Sequence, residues 1–205
     1  MTNQRLHAQP GSVIVLEGLD KTGKSTQIDR MRYTLAPESV VFAHMPSGLT
    51  TFTGRVYRAL ESARHKPRSA LATQLAHLSC HAENMPALID AATRKALVLD
   101  RWWWSTLAYG WYGGGIPKAG LSETAFTELI HTIWAPITPS VIFVFLNPRE
   151  SDENNAPGVA AGYRALINQY PEQAVVVPAD DPERTQMFIT DELTRRGLAY
   201  AGATA

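Results

Sequence analysis

The chain has 205 residues, 45% of them hydrophobic and 19% charged, which suits one globular domain with a sizeable core and excludes a disordered or fibrous protein. Lys plus Arg and Asp plus Glu each number 19, so the formal net charge is +0. That argues against coating of duplex nucleic acid or of an acidic membrane, while leaving room for a local basic pocket.

Cys80 is the single cysteine, so no internal disulfide can form and a reducing, cytoplasmic setting is expected. The leading MTNQRLHAQPGS has no apolar signal core, and no apolar run approaches the roughly 18 residues of a membrane span. Val13–Leu16 is the first candidate strand, followed by a Gly-rich turn and a helical stretch through Leu35. Ser39–Ala43 is the second. Residues 69–93 show helical spacing through Leu71, Leu75, Leu78, Met85, Leu88 and Ile89, with Pro86 predicting a kink or a helix start. Ala96–Leu99, Val141–Leu146 and Ala174–Val177 complete the strands. Each is continuously apolar, the pattern of a parallel sheet covered on both faces. The expected fold is therefore α/β: three layers, with a five-stranded parallel sheet flanked by helices, in a single domain over residues 1–205. Asn147–Pro157 reads as a surface loop, Gly113–Gly115 as a mobile rim, and Ala201–Ala205 as a frayed tail.

The run Gly18-Leu-Asp-Lys-Thr-Gly23-Lys24-Ser25 matches G-x-x-x-x-G-K-[ST] between a predicted strand and a predicted helix. Gly18 and Gly23 allow successive N–H groups to converge, and the helix N-terminus adds partial positive charge. Lys24 is expected to reach the β- and γ-phosphates of ATP, Ser25 to ligate Mg²⁺, and Thr22 and Thr26 to complete the nucleotide cradle. The third strand ends in Asp100-Arg101, where ligands gather in parallel sheets; Asp100 would face the metal and Arg101 an anionic acceptor, the bland alternative being a surface ion pair.

Glu17-Gly-Leu-Asp-Lys-Thr-Gly-Lys-Ser-Thr-Gln27 and Asp100-Arg-Trp-Trp-Trp-Ser105-Thr-Leu-Ala108-Tyr109 resemble two motifs of the thymidylate kinases. The resemblance implies the P-loop NTPase fold and transfer of the ATP γ-phosphoryl group to a nucleoside monophosphate, most simply dTMP. It places Asp20 near the acceptor sugar and phosphates, Lys21 at the transferred group, Arg101 on the acceptor phosphate, Ser105 and Tyr109 along the acceptor pocket, and Ala179 beside adenine. Lys21 stands where some members carry arginine, so the charge is kept and the bidentate fork is lost. It also implies a homodimer.

Three positions depart from the resemblance. His44 stands where an arginine precedes a proline turn. His77 and His81 replace a base-stacking aromatic and a base-reading arginine; their i, i+4 spacing puts both on one helix face, as ligands of the base or as a structural pair. The lid, about residues 147–160, is short, with Arg149 and Arg164 the basic residues between the fourth and fifth strands. Either Lys21 carries the missing lid charge or Arg149 compensates. The alternatives are a kinase of the same fold acting on a modified pyrimidine or other deoxynucleotide, or a degenerate ATP-binding module. Helical rotation spreads the consecutive Trp102, Trp103 and Trp104 over different faces, so they cannot all line one pocket; one can replace the family's tyrosine after Arg101, with the others in the core or a subunit interface, and a base-stacking surface for nucleic acid is disfavoured, no basic run accompanying them.

Overall fold

The computed structural model describes residues 5–47 and 49–202. In chain order the elements are β1 (Leu6–Ala8), β2 (Val13–Gly18), α1 (Lys24–Thr34), β3 (Val40–His44), α2 (Thr51–Glu61), α3 (Ala70–Arg94), β4 (Ala96–Asp100), α4 (Trp103–Leu107), α5 (Glu123–Trp134), β5 (Val141–Phe145), α6 (Pro157–Gln169), β6 (Ala174–Val176), α7 (Pro182–Arg195) and β7 (Ala199–Ala201). A π-helical turn, Ala108–Tyr112, continues α4.

The main sheet has five strands in the order β3-β4-β2-β5-β6, all parallel, as the apolar runs predict. Alternation of side chains across the pleat divides the core in two. Val13, Val15, Leu97, Leu99, Ile142 and Val144 face the layer of α3, α5 and α6, against Leu78, Leu88, Phe126, Trp134 and Tyr163. Ile14, Leu16, Val98, Phe143 and Phe145 face the other layer, against Ile28 and Met31 of α1 and Ile189 and Leu193 of α7. The C-terminal ends of β2, β3 and β4 thus bring Gly18, His44 and Asp100 to one edge of the sheet.

The helical stretch expected over residues 69–93 is one helix, α3, which runs through Pro86 without a new start. Proline leaves the carbonyl four residues back, on Ala82, without its helical donor; both residues are exposed, so water can serve that oxygen, while Leu78, Met85 and Leu88 bury the opposite face. The lid loop ends earlier than residue 160, because Pro157 opens α6 at the position where a missing N–H costs nothing. Gly113 does line the cleft, and a Cβ there would stand 2.2 Å from Val159 Cγ2, so the glycine is what lets the two segments touch. Ala201 is paired rather than frayed, since β1 and β7 form an antiparallel ribbon. Residues 203–205 of that tail, and Gly48 of the turn after His44, lie outside the described residues.

Candidate active site

At the C-terminal edge of the sheet lies a cleft of about 930 Å³. Asp20, Lys21, Thr22, Gly23, Lys24, Ser25, Thr26, His44, His77, His81, Asp100, Arg101, Ser105 and Tyr109 all line it. Ala179 lines a neighbouring cavity of about 350 Å³ that shares Thr22 and Arg149 with the first. Gly18 closes the base of the loop: its φ is +128°, and a Cβ there would fall 2.0 Å from the Phe145 carbonyl oxygen.

Beyond Gly18 the loop turns through Lys21 (φ +59°) and Gly23 (φ +91°) into α1. The left-handed conformation at Lys21 is unfavourable for a residue with a Cβ and persists where neighbours hold it. The short lid supplies them. Asn155 Oδ1 accepts from Asp20 N at 2.8 Å, its Nδ2 donates to Asp20 O at 2.9 Å, and Arg149 N donates to Lys21 O at 2.9 Å. One amide side chain therefore satisfies both backbone groups of Asp20. The Arg149 guanidinium lies over Gly23, 3.8 Å from where a Cβ would stand, and donates to Asp180 O at 3.1 Å, joining the two cavities.

Lys24 is 6% exposed and its ammonium donates to the carbonyls of Gly18, at 3.2 Å, and Leu19. Burial, with the nearby Arg101 charge, pulls its pKa down to about 7 against the pull of Asp20, Asp100 and Glu17. Arg101 adopts φ +71°; it pairs with the Asp20 carboxylate, donates to Ser105 Oγ at 2.9 Å and lies 5.2 Å from the Tyr109 ring centroid. His44 Nδ1 meets Asp100 Oδ2 at 2.8 Å. Burial acts to raise the Asp100 pKa, but the His44 hydrogen bond and the charges of His44, Arg101 and Lys24 bring it below the usual carboxylate range. Asp100 is therefore an ionised carboxylate, and with the Ser25 hydroxyl it presents the hard oxygen donors that suit Mg²⁺.

Ser105 is placed differently from a simple pocket liner. Its hydroxyl donates to Glu17 Oε2 at 2.6 Å, accepts from Arg101 and meets Tyr163 Oη at 2.9 Å. Glu17, fully buried, also accepts from the backbone N–H groups of Trp102 (2.7 Å) and Ser105 (3.0 Å) and from the Tyr163 hydroxyl (2.9 Å). Burial raises the Glu17 pKa, opposed by Arg101, Ser105 and Trp102. Sequence reasoning passed over Glu17 as a motif letter; the available signal was an acid inside the otherwise apolar strand Val13–Gly18. Nothing local marked Tyr163 or Asn155, which arrive from across the chain.

The α3 contribution to the cleft is uncharged in character: Thr73, Gln74, His77 and His81 share one helix face. Burial and the neighbouring Lys66 and Arg101 pull His77 down to about 4, and burial with His77 pulls His81 down to about 3. Both expected histidines reach the cleft, but His81 is partly committed elsewhere, its Nδ1 accepting from Trp134 Nε1 at 3.1 Å. Of the three consecutive tryptophans Trp102 lines the cleft, while Trp103 and Trp104 are buried in the core. Among the described residues no helix is long and apolar enough to cross a membrane.

Comparison with known proteins agrees with this geometry. The family model described as thymidylate kinase matches residues 16–151. The chain is 29% identical to the thymidylate kinase of Exiguobacterium sp. over 194 residues, covering 83% of this chain and 87% of that one. It is 28% identical to that of Chlorobium chlorochromatii over 222 residues, covering 91% and 96% respectively. The crystal structure of thymidylate kinase from Ehrlichia chaffeensis superposes with a TM-score of 0.71 at 21% identity, covering 89% of this chain and 98% of that one. For the thymidylate kinase of Candida albicans the TM-score is 0.69 at 16% identity, with coverage of 94% and 96%. With a P-loop and an Asp-Arg strand end meeting in one cleft, and the family model spanning both, the chain belongs to the thymidylate kinase family.

Proposed function

We propose that this protein transfers the γ-phosphoryl group of ATP to the 5′-phosphate of a deoxypyrimidine nucleotide, with dTMP the acceptor. The observation that carries the reading is the meeting of Lys24, on the P-loop, with Arg101 and Asp100, on the neighbouring strand end, in a cleft to which α3 adds the uncharged Thr73, Gln74, His77 and His81. Such a cleft offers cations to phosphates and neutral donors and acceptors to a base.

In the reaction an acceptor phosphate oxygen attacks the γ-phosphorus while the bond to the β–γ bridging oxygen breaks and ADP leaves. Catalysis of this kind is positioning and charge neutralisation. Lys24 exchanges its carbonyl contacts for the β- and γ-phosphate oxygens, and the backbone N–H groups from Thr22 to Thr26 cradle the same phosphates. Arg101, aimed by Asp20 and Ser105, holds the acceptor phosphate. Lys21 and Arg149 stand at the transferred group, and Ala179 lines the cavity suited to the adenine. Tyr109 borders the sugar. Mg²⁺, held by Ser25 and Asp100, would neutralise the phosphate oxygens; His44 orients the Asp100 carboxylate.

The intact trio of Lys24, Ser25 and Asp100 favours catalysis over a module that only binds ATP. The histidines at the α3 wall favour testing modified pyrimidines beside dTMP. Coupled measurement of ADP release with a panel of deoxynucleoside monophosphates tests the reading: dTMP should turn over fastest, and turnover of none would overturn it. We further place the protein in the cytoplasm as a single-domain homodimer; the exposed Phe52, Leu75 and Ile89 of α2 and α3 offer apolar surface for pairing, and sedimentation velocity reads the mass.

A further inference from the structure

His81 and Trp134 sit on different helices, α3 and α5, and both are nearly enclosed, at 3% and 2% exposure. The indole Nε1 lies 3.1 Å from the imidazole Nδ1, with the rings edge to face, 70° apart and 5.2 Å between centroids. An indole nitrogen can only donate. His81 Nδ1 must therefore carry the lone pair, and the proton of the neutral ring must sit on Nε2. Burial and the neighbouring His77 bring this imidazole down to about 3, so it stays neutral through the physiological range.

A neutral histidine is ordinarily ambiguous, able to donate or accept by exchanging tautomers. Here the exchange is blocked, because moving the proton to Nδ1 would set N–H against N–H. His81 still lines the cleft, so what it has left to offer a ligand is a donor. A lone N–H donor on this wall asks for an oxygen acceptor.

We propose that Trp134 is a specificity-determining positioning residue: by holding the His81 proton on Nε2 it makes the base end of the cleft select pyrimidines with a carbonyl at position 4 over those with an amino group. This rests on the proposed nucleotide reading. A 4-amino group would meet a donor with a donor and leave both unpaired in a buried place, the kind of mismatch by which hydrogen-bonding sites discriminate strongly.

The test uses the full-length protein with ¹⁵N-labelled histidine. His81 should show the Nε2–H pattern from pH 5 to 8, and dTMP should shift that resonance more than dCMP does. Trp134→Phe keeps a ring of similar shape and removes the donor. It should give a tautomer mixture and lower the dTMP-to-dCMP ratio of kcat/KM by about tenfold, while the KM for ATP stays within about twofold. A purely structural role for Trp134 would move stability and ATP handling and leave the ratio alone. An Nδ1–H pattern in the unaltered protein, an unchanged ratio in Trp134→Phe, or equal shifts with the two nucleotides would overturn the proposal. Should the variant not fold, the spectra of the unaltered protein with each nucleotide decide the matter. Should no monophosphate be phosphorylated, the proposed activity fails on its own, and the tautomer and nucleotide shifts still judge this inference.

Discussion

The two ends of the cleft are built by different means. At the P-loop end the charged groups arise from a short stretch, Asp20 to Ser25, and from one strand end, Asp100-Arg101; their chemistry is electrostatic and strongly coupled. The groups that α3 itself supplies at the other end are neutral, and what His81 can offer is set by a partner more than fifty positions along the chain: the separation of His81 and Trp134 is 53 residues. Charge can be encoded locally because the ionisable group belongs to the residue itself, even where burial shifts its pKa, as at Lys24. Donor or acceptor character of an imidazole cannot, because it depends on what the other nitrogen touches.

The largest expected effect breaks the charged end alone. Lys24→Ala should lower kcat by about a thousandfold or more, since it removes a cation directed at the transferred group; dTMP binding, read by calorimetry, should change little. If acceptor binding collapses as well, the two ends are not separable.

A second test sharpens the contrast through pH. The free-protein pKa of Lys24 is about 7, whereas bound phosphate favours its ammonium form, so binding ATP takes up a proton. Affinity for MgATP should weaken about tenfold between pH 6 and pH 8, with about half a proton taken up at pH 7. Calorimetry in two buffers of different ionisation enthalpy measures it, and Lys24→Met should abolish it.

Asn155→Ala probes the strap over the P-loop. Losing both bonds to Asp20 should cost about 1–3 kcal/mol of stability and lower kcat about tenfold, with Lys21 and Asp20 no longer preset. Thermal unfolding and steady-state kinetics report the two parts. An unchanged kcat would make the strap purely structural.

The smallest effect belongs to the neutral end. His77 and His81 have pKa values of about 4 and about 3, so neither ring changes charge between pH 5.5 and pH 8. The dissociation constant of dTMP from the free protein should vary with pH only as the Lys24 region and the nucleotide phosphate dictate, and His77→Phe should leave that profile unaltered. A bend near pH 6.5 lost in His77→Phe would show that the imidazole is more open to water than its burial indicates.

Much of this was legible along the chain. The strands of the main sheet are continuous apolar runs, a pattern that follows from burial on both faces, and the P-loop is a spacing constraint on glycine, lysine and serine. The β1–β7 ribbon was not legible. It pairs short strands from opposite ends, Leu6–Ala8 with Ala199–Ala201, and three residues carry too little periodicity to announce a strand. The α3 stretch was legible in its helical spacing, while the choice at Pro86 between a kink and a new start was left to the packing of Leu78, Met85 and Leu88. Ser105 was foreseen at the pocket, yet its task of linking Glu17, Arg101 and Tyr163 depends on α6 crossing beneath it.

By itself, then, the amino-acid sequence determined the layered α/β architecture, the phosphate-binding loop and the cationic character of one end of the cleft, because hydrophobic periodicity, backbone freedom at glycine and formal charge belong to residues and their near neighbours. Only the tertiary structure decided that Asn155 and Arg149 brace the loop, that Glu17 anchors Ser105 beside Arg101, and that the His81 proton sits on the nitrogen away from Trp134. Hydrogen bonds between remote residues carry no trace in spacing; they exist once folding has brought donor and acceptor to within about 3 Å.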